Sequence, residues 1–124
     1  MRLRKSSDFK RVRQQGRSMA SRLLILAWAP NYEQHSRIGF VVSKRIARHA
    51  VDRNYLKRLL GEAIQPLLAS LVNDQDIVLN ARQQAVGTDL HTLRQQVAML
   101  LRRARLLHPQ ETGEQHIERL TSEM

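Results

Sequence analysis

The stretch "RIGFVVSKRIARHAVDRNYLKRLLGEA", residues 37–63, decides the fold. It opens on alternation: Ile38, Phe40 and Val42 fall on one side of an extended segment, the pattern of a half-buried strand. It closes on a different period. Leu56, Leu59, Leu60, Ala63 and Ile64, continued by Leu67 and Leu68, recur at i, i+3, i+4, the stripe of a helix packed on an apolar surface. This helix is expected to start near Val51 or Asp52. Two residues disturb it. Gly61 costs about 1 kcal/mol relative to Ala in a helix interior. Pro66 lacks an N–H and disfavours helix at Gln65, so a kink is expected there, or a break with a second short helix. Next comes "DIVLNAR", residues 76–82, a strand of buried character. Strand, helix, strand is the repeating unit of α/β folds.

Working outward, "SSDFKRVRQQG", residues 6–16, reads as a short helix with Phe9 and Val12 on one face. Ser6 or Ser7 is the expected N-cap and Gly16 the C′ residue. "MASRLLILAWAP", residues 19–30, reads as a strand ended by Pro30. The polar link "NYEQHS" is short, so this strand and 37–43 are expected to pair as antiparallel neighbours. Gly87-Thr88-Asp89 marks a turn and a helix start. The last helix, about 89–107, carries Leu90, Leu93, Val97, Leu100, Ala104 and Leu107 on one seam and is stopped by Pro109. The order α-β-β-α-β-α describes a small two-layer α/β sandwich, one mixed sheet with helices packed on it. A single domain over residues 1–109 is expected, a nucleic-acid-binding one by its charge, and RNA-binding by the resemblance given below.

The 124 residues carry 21 basic against 11 acidic side chains, a net charge of +10. Only Lys5, Lys10, Lys44 and Lys57 are lysines; the rest are Arg, the side chain suited to forked phosphate contacts and to stacking on bases. A small, Arg-rich basic domain points to nucleic acid. The charge is uneven. Glu111, Glu114, Glu118 and Glu123 face only Arg119 in residues 110–124, so this acidic tail is expected to be mobile and outside the functional surface. The chain has no Cys, which suits a reducing cytoplasm. The longest apolar run, "LLILAWA" at 23–29, is too short to span a bilayer. A cytoplasmic location without membrane association is expected.

The residues offer no self-contained catalytic site. His35, His49, His91, His108 and His116 are scattered without ligand spacing, and no Walker loop, G-x-G-x-x-G or G-x-S-x-G is present. Asp74 and Asp76 flank a turn, where Asp is common for backbone reasons. The basic constellation is different. Lys44, Arg45, Arg48, Arg53, Lys57 and Arg58 crowd into sixteen residues with Asp52 as the only acid. Arg53 and Lys57 lie four apart, where like charges repel on an isolated helix. A row of cations on one helix meets phosphates at the spacing of a folded nucleic-acid backbone.

These blocks resemble the protein component of bacterial ribonuclease P. That family carries an "RNR-x-KR" helix preceded by "V-S-K-K" and "A-V"; this chain reads "VSKRIARHAVDRNYLKR". The family's N-terminal "D-F-x-x-V-x-x-x-G" stands as "DFKRVRQQG", and its "DIVxxAR" strand as "DIVLNAR". The resemblance covers about residues 3–107. It implies a subunit that binds the catalytic RNA and the 5′ leader of precursor tRNA, while RNA-bound Mg²⁺ performs the endonucleolytic cut. It also implies a left-handed βαβ crossover. No cofactor bound by the protein alone and no obligate protein partner is expected. By position, Lys44, Arg45, Arg48, Arg53, Asn54, Tyr55, Lys57 and Arg58 would meet the catalytic RNA, and Phe9 and Arg13 the leader. Phe9 has an equal reading as core packing with Val12. Three positions depart from the family pattern. Tyr55 replaces an Arg, Gly61 ends the cationic row one turn early, and Arg13 stands where a second aromatic is common. The alternative reading is a ribosomal or ribosome-assembly RNA-binding protein.

Overall fold

The computed structural model describes residues 2–108. The expectation of a mobile tail at 110–124 falls outside the described residues. Helix α1 is Ser6–Gln15, strands β1, β2 and β3 are Arg17–Ala20, Leu24–Pro30 and Arg37–Val41, and helix α2 is Ala50–Ile64. A 3-10 segment, Gln65–Ser70, leads to β4 at Gln75–Ala81, and after a second short turn α3 runs Leu90–Arg103. The expected break at Pro66 is this change of helix type, with Pro at its first turn.

The four strands form one mixed sheet in the order β1-β2-β4-β3. β2 pairs antiparallel with β4, and β3 pairs parallel with β4. The expected β2–β3 neighbour pair is therefore replaced: β4 lies between them. Its residues Asp76 to Leu79 are all buried, so it is covered on both faces, as suits a central strand. The link Asn31–Ser36 spans two strand spacings, about 10 Å, well within reach of six residues. The segment 19–30 is also two strands rather than one. Ser21 closes a turn, its N–H on the Leu24 carbonyl at 2.8 Å and its Oγ accepting from the Leu24 N–H at 3.2 Å.

Alternation along the strands sorts the core. Leu24, Leu26, Ile38, Phe40, Ile77 and Leu79 point to one face and pack with Leu56, Leu60 and Ile64 of α2 and Leu93, Val97 and Leu100 of α3. Trp28 packs at the edge of this cluster. The opposite face carries Ala29 and Val78 beneath Leu3, Phe9 and Val12, so α1 covers one part of it. The N-terminal strand edge is closed too: the Leu3 N–H donates to the Ile38 carbonyl at 2.8 Å.

Helix ends differ from expectation. Lys5, not Ser6 or Ser7, is the N-cap of α1, without a side-chain cap bond, and Gly16 is extended rather than left-handed. Gly16 is needed for proximity instead: a Cβ there would lie 2.4 Å from the Trp28 carbonyl oxygen. Asp89 caps α3 by accepting from the Thr92 N–H at 2.8 Å, which holds its carboxyl below the ordinary range. α3 stops at Arg103, before Pro109. Arg105 takes φ 60°. The Leu106 N–H bonds the Leu101 carbonyl and the Arg105 N–H bonds that of Arg102, which is a Schellman end on a non-glycine residue. Gly61 has open surroundings: a Cβ added there would meet only Phe40 Cε2, at 3.8 Å. Gly61→Ala is therefore expected to raise stability by about 1 kcal/mol, read as a higher urea midpoint at unchanged slope.

Candidate nucleic-acid interface

The basic surface begins where β3 ends. The Ser43 carbonyl accepts from the N–H groups of Ile46 and Ala47 at 3.0 and 3.1 Å, folding residues 43–47 into a turn whose anchor is the buried Ala47. Lys44, Arg45 and Arg48 project from it into solvent. Arg53, one turn into α2, is half-buried. Its Nη1 donates to the Ala47 carbonyl at 3.1 Å and the Arg48 carbonyl at 2.8 Å. This side chain ties the loop to the helix, so part of its forked donor set is engaged within the protein.

Asn54, Lys57 and Arg58 point away from the core and line a groove of about 500 Å³ with Arg2, Gly61, Glu62 and Gln65. Arg2 is held there by its guanidinium over the Phe40 ring, 4.9 Å from the centroid. Tyr55 is 55% exposed and has the Arg58 guanidinium 5.8 Å from its ring centroid. All three ion pairs among the described residues involve Asp8 or Asp76. Lys44, Arg45, Arg48, Lys57 and Arg58 thus have no carboxylate partner among them. Glu62 and Asp52 lie near them without pairing, so the net field of this surface stays positive and available to an anion.

A second groove lies on the opposite sheet face. α1 supplies Phe9, Val12 and Arg13; the sheet supplies Ile25, Ala27, Val41, Val78 and Asn80, with Arg17 and Ser18 at the end. Its volume is about 380 Å³. Phe9 both packs on the sheet and lines the groove. The half-buried ring lies on Gly39, where a Cβ would come within 2.5 Å of it, and it also walls the groove. Arg13 stands beside it, exposed. The basic helix and the Phe9 groove therefore form two separate sites.

Asp76 is not a turn residue. It is fully buried within β4, accepts two bonds from Arg37 at 2.8 Å each and one from Asn31 at 2.9 Å, and pairs with Arg11 of α1. The Asp76 carboxylate in turn holds the Arg37 guanidinium above its ordinary range. Asp74 has φ 70° and only its carbonyl is engaged, by the Asn31 N–H.

The family model described as Ribonuclease P matches residues 1–105. The chain belongs to the ribonuclease P protein family. It is 37% identical over 109 residues to the ribonuclease P protein component of Caldanaerobacter subterraneus subsp. tengcongensis, spanning 88% of this chain and 93% of that one. To the corresponding component of Chloroflexus aurantiacus it is 40% identical over 114 residues, 91% and 83% of the two chains. Solved ribonuclease P proteins share the fold. That of Staphylococcus aureus gives a TM-score of 0.78 at 29% identity, covering 86% of this chain and 97% of that one. That of Thermotoga maritima gives 0.75 at 28%, covering 83% and 96%. The mixed sheet with three helices is thus the architecture of ribonuclease P proteins.

Sequence reasoning missed four contributors to these sites. Arg2 lies outside any periodic segment, and Arg17, Ile25 and Asn80 reach the Phe9 groove only because β1, β2 and β4 pair. A cation next to the first strand-edge residue was the one local signal, for Arg2. Among the described residues no helix is long and apolar enough to cross a membrane.

Proposed function

We propose that this chain is the protein subunit of a ribonuclease P holoenzyme that removes 5′ leaders from precursor tRNA in the cytoplasm. The carrying observation is the row of carboxylate-free cations, Lys44, Arg45, Arg48, Lys57 and Arg58, on one rigid loop and helix. Such a row suits a folded RNA, because each phosphate neutralised releases counterions and adds to affinity. Asn54 and Tyr55 add a neutral donor and a stacking surface among them, and Arg53 keeps the loop in register. The partner on this face is the catalytic RNA.

The Phe9 groove suits a single strand. An aromatic wall, an apolar sheet floor and two cations, Arg13 and Arg17, provide base stacking along with backbone attraction. The occupant is the leader of precursor tRNA. Among the described residues no three His, Asp or Glu side chains converge, and the proposal assigns the Mg²⁺ ions and the hydrolytic step to the RNA. The protein's contribution is positional: it offsets RNA–RNA repulsion and holds the leader so that the scissile phosphate sits at the RNA's metal site.

The test is reconstitution. The full chain is added to a bacterial ribonuclease P RNA and precursor tRNA at low Mg²⁺ and moderate salt. Accurate 5′ cleavage accelerated by the protein, and absent with protein alone, is the expected result. No acceleration would return the chain to a purely structural RNA-binding role. Within this assay, Phe9→Ala is expected to weaken binding of precursor tRNA about tenfold, the scale of one lost stacked base, and to leave mature tRNA nearly unchanged. Equal loss for both substrates would confine Phe9 to packing on Gly39.

A further inference from the structure

Beyond the two basic sites, α2 has a third surface. Its flank opposite the Lys57 groove forms an apolar hollow of about 410 Å³ with the 43–49 loop and the turn at Val86-Gly87. Ile46, Tyr55, Leu56, Leu59 and Val86 form its walls. Tyr55 and Val86 are 55% and 48% exposed, so apolar surface faces water here beside the cationic 44–58 segment.

We propose that this hollow seats one unstacked nucleobase of the RNA bound by the 44–58 surface. The proposal rests on the reading of that surface as RNA-binding and names what its apolar part recognises. Three observations favour a nucleotide over an apolar protein segment. First, the lip carries Arg48 and His49, which places a phosphate partner directly beside an apolar seat; a hydrophobic peptide would leave that charge unmet. Second, Tyr55 separates the hollow from the basic groove. Arg58, on the groove side, lies over its ring, while the ring itself lines the hollow. A base stacked on Tyr55 therefore has its backbone next to an existing row of cations. Third, the seat is built in advance. Arg53 Nη1 donates to both the Ala47 and Arg48 carbonyls, so the loop wall need not be ordered on binding. Asp52, also on the lip, offers an acceptor to a base amino or imino N–H.

The experiment has two arms, both on the full chain. In the first, amide and side-chain methyl NMR signals are followed while AMP is titrated, with inorganic phosphate as the control. Saturable shifts concentrated at Ile46, Tyr55, Leu59 and Val86 with AMP and not with phosphate are expected. Scattered or absent shifts overturn the proposal, and so do equal shifts with phosphate. Concentration-dependent shifts of the same signals without nucleotide overturn it as well, because they would mean that a second copy covers the hollow. In the second arm, affinity for ribonuclease P RNA is measured for Val86→Glu and for Gln84→Glu, which puts the same charge on the same exposed turn outside the hollow. Val86→Glu is expected to lose about tenfold, one stacked base, and Gln84→Glu little. Equal losses overturn the seat. The underlying reading fails separately: it falls if replacing Lys44, Arg45 and Arg48 by Ala leaves RNA affinity intact, whatever Val86→Glu does.

Discussion

Asp76→Ala is expected to cost about 3–5 kcal/mol of folding stability, the scale for removing one partner from a buried ion pair. The carboxylate is fully buried and holds three elements at once: Arg11 on α1, Arg37 on β3 and Asn31 on the link between β2 and β3. Without it two part-exposed guanidiniums are left facing each other, with Asp8, 3.6 Å from Arg37, and the nearby Glu33 as the remaining offset. Asp76→Asn keeps the shape and two acceptor lone pairs but loses the charge, so it should fall between wild type and Ala. Urea unfolding followed by circular dichroism measures both. A loss below about 1 kcal/mol for Asp76→Ala, the level of an exposed pair, would mean that Arg11 and Arg37 simply turn to solvent. The damage should also be directional. Arg11 is one of two ionic ties between α1 and the sheet, the longer Asp8–Arg37 pair being the other, so hydrogen exchange is expected to rise first in α1 and to widen the Phe9 groove before the α2–α3 core opens.

The second large effect concerns RNA. Lys44→Ala, Arg45→Ala and Arg48→Ala combined should leave the fold intact, because all three side chains are exposed and make no ion pair among the described residues. Affinity for the catalytic RNA is expected to fall about a hundredfold at moderate salt. The slope of log K against log salt should flatten by about 2–3, at roughly 0.7–0.9 for each phosphate no longer neutralised. Filter binding across a salt series reads both numbers. An unchanged slope would remove the loop from the interface. Arg53→Ala acts differently. It gives up the bonds to the Ala47 and Arg48 carbonyls, so it should weaken binding by loosening the loop even though its own charge is only partly presented.

Local pattern carried a good part of this molecule. The i, i+3, i+4 leucines placed α2 within a residue or two, and the unbroken apolar run of β4 marked it as buried. The crowding of cations in 44–58 was visible because acids are so scarce there. What stayed hidden depends on partners distant in the chain. β1 is four residues with a single half-buried hydrophobe, Met19, and exists because β2 offers it an edge. A short link between β2 and β3 looked like neighbour pairing, yet link length does not reveal a strand inserted between them about 40 residues later. Asp76 resembled a turn residue because its Arg partners lie 65 and 39 positions away. Gly16 looked like an ordinary helix end, whereas it and Gly39 each mark a spot where another element presses on the backbone.

The central place of β4 bears on how the chain is made. Until residues 75–81 leave the ribosome, β2 and β3 have no shared partner, and α2 lacks the Ile77 and Leu79 surface on which its leucines pack. The nascent chain therefore carries α2 and the cationic 44–58 stretch before it has a sheet to hold them. Closure must wait for long-range pairing, the slow kind of contact to form. Polyanions that favour α2 in its helical form should speed this step, and refolding in the presence of RNA should outpace refolding in buffer.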